Sequence, residues 1–140
     1  MLLIPEAGDL VLKEMLPIAL TNENRGQGRH WRKNCRRRKD IEDALRLLGF
    51  EREPFPFGVV VWVVRVLGRG EQKFDQSSLG RGNWKEIEDS LVSCGWFVDD
   101  SPNFIYETRF FQDDSRRSAG SAIEVMVFRA TLAEQSYRLT

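Results

Sequence analysis

The sequence predicts one two-layer α/β domain of the α+β type, a mixed β-sheet with helices on one face, in the order β-α-β-α-β-β. Three observations carry this. The run "VVVWVVRVL" at residues 59–67 is β-branched enough for a central strand buried on both faces. Two stretches repeat apolar residues at helical spacing and stop at a glycine. Two further β-rich runs, joined by a polar turn, follow the second of these stretches. With 140 residues, 41% of them hydrophobic, the chain can build one core but not two ordinary domains. Residues 1–140 therefore read as a single domain, its core over about residues 10–130.

The elements follow in order. "DLVLKEMLPIAL" alternates well enough for a strand over residues 10–20, and "TNENRGQG" has the polar, glycine-bearing character of a loop. Residues 29–48 form the first helix, with Ile41, Ala44, Leu45 and Leu48 on one face and Gly49 as the stop. "EREPFPF" is a connector into the central strand. Trp84, Ile87, Leu91 and Cys94 share one face of the second helix, and Gly95 ends it. Lys85 and Asp89 stand four apart on a more exposed face. "NFIYETRFFQ" and "AIEVMVFRA" read as an antiparallel pair across "DDSRRSAGS", and the last ten residues as a frayed tail.

Composition narrows the function classes. Cys35 and Cys94 lack CxxC spacing and there is one histidine, which argues against a zinc site and for a reduced, cytoplasmic protein. The longest apolar run, "FGVVVWVV", is far short of the roughly 20 residues of a membrane helix, and the opening has no signal-peptide pattern. A formal net charge of zero hides an asymmetry: residues 25–39 hold eight Lys/Arg and no acid. Such a patch on an otherwise acidic chain suggests a polyanion partner. Arg25, Arg29, Arg32, Lys33, Arg36 and Arg37 are the candidate phosphate contacts. His30 and Trp31 among them supply rings that can stack on an exposed base. A basic helix face that is only solvated is the plainer alternative, with Trp31 in the core.

The carboxylates offer chemistry. Asp75 follows the central strand, and Asp99 and Asp100 follow the second helix, so both places can meet at one edge of the sheet. Converging carboxylates need a cation between them, and hard oxygen donors select Mg²⁺ or Mn²⁺. Such an ion activates water and steadies a leaving phosphate oxygen, while Lys85 can neutralise developing charge. The plainer alternative makes the aspartate pair an ordinary turn before "SPN" and Asp75 a loop cap. "GRGEQKF" has no third glycine and no following helix for a nucleotide loop, and no serine sits in a nucleophile elbow.

Asn24-Arg25, His30-Trp31, Asp75, Lys85 and "DSLVSCGWFVDD" together resemble the RusA family of Holliday-junction resolvases, its bacteriophage-type branch above all. The resemblance implies a Mg²⁺-dependent endonuclease, active as a homodimer on four-way DNA junctions. It places a first catalytic aspartate on Asp75, a third on Asp100 and the lysine on Lys85. The second falls on Ser77, because "DQSSL" stands where the family has "DxDNL", with Ser78 for the asparagine. A serine hydroxyl can ligate Mg²⁺ without charge, so the ion is held less tightly. Asp99, Asp89 or Glu86 are the candidates to compensate. The resemblance thus leaves open an enzyme with a weakened site and a branched-DNA-binding protein without catalysis.

Overall fold

The computed structural model describes residues 2–22 and 31–135, with the side chains of 31–36 and 134–135 outside the description. The order is β1 (Leu2–Leu16), α1 (Trp31–Leu47), β2 (Val59–Val66), α2 (Trp84–Ser93), β3 (Ile105–Asp113) and β4 (Ala122–Gln135). Short 3-10 turns, Gln76–Ser78 and Arg117–Ala119, follow β2 and β3. The domain is α+β, with a four-stranded mixed sheet in the order β1-β4-β2-β3. Among the described residues no helix is long and apolar enough to cross a membrane.

β2 is central, as its valines require: it pairs antiparallel with β4 and parallel with β3. Its alternate residues Val59, Val61 and Val63 join Ile123, Val125 and Val127 of β4 in the core. Leu45 of α1 and Ile87 and Leu91 of α2 cover that face, so both helices lie on one side. Both end where glycine permits a left-handed turn: φ is 82° at Gly49 and 89° at Gly95.

Two expectations need correction. β3 and β4 are not an antiparallel pair, because β2 lies between them. Crossing by α2 makes β3 parallel to β2, and the chain must then pass the end of β2 to reach β4. Arg117 fixes that passage by donating to the carbonyls of Gly68 at 2.9 Å and Glu71 at 2.6 Å. The first and last strands are also longer than their patterns suggest. β1 begins at Leu2 and β4 runs to Gln135, with Leu2 to Ala7 pairing Gln135 to Ala130 beyond the end of β2. Residues 131–135 of the expected tail are therefore strand, and residues 136–140 lie outside the described residues.

Candidate active site

The buried face of α2 decides what its outer flank presents. Trp84, Ile87 and Leu91 are buried, so Lys85, Glu88 and Asp89 project from the neighbouring arc, one turn apart. Beyond Gly95, Trp96 is 1% exposed and its indole N–H donates to the Phe50 carbonyl at 2.6 Å. Phe97 is buried beside it, and the chain then returns along the helix. Asp100 thereby meets Lys85, whose Nζ donates to its Oδ2. The same ammonium lies 3.2 Å from Asp89 Oδ1 and 3.6 Å from Glu88 Oε1. One ligand oxygen from each of Glu88, Asp89 and Asp100 lies within 4.8 Å of the others.

The charges act on one another. The hydrogen bond to Asp100 pushes the Lys85 ammonium well above its ordinary range against the opposing effect of burial, and Asp89 adds to the push. The same bond holds the Asp100 carboxyl below its ordinary value. Burial pushes Glu88 up, and Lys85 only partly offsets this. A second cation would relieve that penalty. Three carboxylate oxygens, hard donors without nitrogen or sulfur, fit Mg²⁺ or Mn²⁺.

Of the expected catalytic and metal-binding residues, Lys85 and Asp100 come together, while Asp75, Ser77 and Asp99 stand outside the acidic group. Asp75 is exposed ahead of the 3-10 turn and outside the converging acids. Its backbone carbonyl accepts from the Ser78 amide at 3.0 Å and the Ser78 hydroxyl at 2.9 Å. Ser77 is exposed on that turn. Asp99 Oδ1 accepts from the Ser101 amide at 2.7 Å, the ordinary turn that the sequence also allowed. Asp89, named as a compensating acid, does join the cluster, whereas Glu86 accepts from Arg37 at 2.8 Å. Glu88 was missed. Its signal was its place three residues after Lys85, on the same arc as Asp89.

Arg25, Arg29 and His30 lie outside the described residues. Trp31, Arg32, Lys33 and Arg36 fall in the first turns of α1, where side chains are outside the description. Arg37 is described, and its pairing with Glu86 joins α1 to α2 beside Lys85. The Ser90 hydroxyl lies at that joint, 2.7 Å from the Glu86 carbonyl and 3.0 Å from the Arg38 carbonyl, with one proton to share between them. No protein-family model matches the chain. No curated protein matches it either.

Proposed function

We propose that the chain is a RusA-like, structure-selective DNA endonuclease that resolves four-way junctions by Mg²⁺-dependent phosphodiester hydrolysis, working as a homodimer. The observation that carries the reading is the Lys85 ammonium set among Glu88, Asp89 and Asp100. In this reading those three acids hold the ion, and Asp75, Ser77 and Asp99 stand outside its ligand set. Bound Mg²⁺ supplies an activated water and charge compensation. Lys85 neutralises charge developing on the transferred phosphate. The basic residues from Arg25 to Arg36 grip the backbone phosphates, with His30 and Trp31 against exposed bases, while Arg37 stays paired with Glu86.

The dimer has a surface to use. The sheet face away from the helices carries Trp62, Phe111, Met126 and Phe128, with Leu10 and Met15 exposed beside them. Trp62 packs its ring on both phenylalanines, with centroids 5.2 and 4.6 Å apart. Among the described residues no helix covers this face, and a second copy across a two-fold axis would bury it.

A second reading keeps the DNA grip and omits catalysis. It is favoured by Asp75 standing outside the acidic group and by the Ser78 hydroxyl being committed to a carbonyl. Ser77→Asp and Asp100→Asn, each assayed for junction binding and junction cleavage, separate the two. The endonuclease reading expects Asp100→Asn to abolish cleavage with binding retained, and Ser77→Asp, outside the acidic group, to leave it unchanged. Tight junction binding by both variants and wild type, with no cleavage by any, establishes the binding protein instead.

A further inference from the structure

Residues 19–22 lead from β1 into the basic segment, and they are seated on the residues that open α2. Asn83 is 8% exposed and uses both ends of its side-chain amide. Oδ1 accepts from the Thr21 amide at 2.8 Å, and Nδ2 donates to the Ala19 carbonyl at 2.8 Å. Beside it Gly82 is so close to this segment that a Cβ would stand 1.8 Å from the Thr21 carbonyl oxygen. The next residue, Trp84, packs edge-on against Phe110 with centroids 6.0 Å apart, which anchors the first turn of α2 to the sheet. Lys85 follows at once.

Asn83 holds the N-cap position of α2, where asparagine ordinarily stabilises a helix by accepting from its first amides. Its side chain makes no such cap. The amide is spent on contacts across 62 and 64 residues of sequence instead. Capping would stabilise α2 alone; these bonds fix α2 relative to the strand that feeds the basic segment.

We infer that Asn83 is a positioning residue, which holds residues 19–22, the approach to the basic segment, on the start of α2 beside Lys85 and its acids. The DNA partner rests on the nuclease reading above; the joint itself does not.

Asn83→Ala tests it with two readouts. Without DNA, amide hydrogen exchange in residues 19–22 should accelerate about tenfold or more, while residues 87–93 of α2 keep wild-type rates. Unchanged exchange in 19–22, or acceleration centred on 87–93, overturns the inference. With a synthetic four-way junction, affinity should fall about tenfold and the salt slope of log K should flatten by about one phosphate contact. Mn²⁺ affinity by calorimetry should stay at the wild-type value. Unchanged junction affinity and slope, or a parallel loss of Mn²⁺ affinity, would show that Asn83 merely supports α2. If Asn83→Ala does not fold, Thr21→Pro removes the donor from the other side of the joint and is judged by the same readouts. Wild type that binds no DNA ends the nuclease reading, and the exchange measurement still decides the joint.

Discussion

Replacing Lys85 by methionine removes the cation from three converging carboxylates while keeping the apolar stem. The ammonium contacts Asp100 directly and lies 3.2 Å from Asp89 and 3.6 Å from Glu88. Its side chain is 63% exposed, so each attraction is screened and contributes well under the interior value. Three such contacts, with the carboxylate repulsion left behind, set the cost at about 1–2 kcal/mol near pH 7 with a chelator present. The pH window follows from the shifts. Lys85 is raised, so its contribution is complete below its ordinary value of 10.5 and is lost as pH rises through the folded value. Asp100 is lowered, so its contribution is present above its ordinary 3.8 and is lost as pH falls through the folded value. The gap between wild type and Lys85→Met should therefore be open from about pH 4 to pH 10 and close in stronger acid. Urea unfolding across that range measures it. Mn²⁺ should then stabilise Lys85→Met more than wild type, because no ammonium competes for the oxygens. Equal stability across the range, with equal gains from Mn²⁺, would refute the assignment of these groups to one electrostatic unit.

Three further substitutions test other parts of the structure. Gly95→Ala puts a side chain at φ 89° with its Cβ 1.9 Å from the Arg52 carbonyl oxygen. It should cost about 2–4 kcal/mol in urea unfolding, and a loss below about 1 kcal/mol would contradict the turn. The Gln112 side chain accepts from the Phe74 amide at 2.8 Å and donates to the Phe74 carbonyl at 2.9 Å, immediately before Asp75. Gln112→Leu should cost about 1–3 kcal/mol and speed exchange at the Phe74 amide; unchanged exchange would show that the loop is held otherwise. Trp62→Arg, on the uncovered sheet face, should convert a dimer to a monomer in sedimentation at micromolar concentration. A wild-type monomer with and without junction DNA would defeat the dimer.

Much of the fold was legible because the strongest patterns were also the most buried. The valines of β2 and the Trp84, Ile87, Leu91 spacing of α2 mark a strand and a helix face without reference to partners. Which strands pair was less legible. Neighbouring β3 and β4 looked like a hairpin, yet the choice between hairpin and crossing depends on how the loop passes β2, and Arg117 settles that through distant carbonyls. The start of β1 was hidden by Pro5 and Gly8, residues that an edge strand tolerates but a strand pattern penalises. In the candidate site, Lys85 and Asp100 were legible from motif spacing. Glu88 was not, because its burial appears only once α2 is docked. The separation of Asp75 from the cluster depends on the loop course set by Gln112 and Gln76, which no local pattern encodes.

Strand cleavage of one synthetic four-way junction, with Mg²⁺ and then Mn²⁺ and with linear duplex of the same sequence beside it, tests the proposed activity most directly. Paired nicks at symmetric positions of the junction, absent from the duplex and abolished by Asp100→Asn, are the predicted result. Cleavage that survives Asp100→Asn, or an intact junction under both metals, would contradict it.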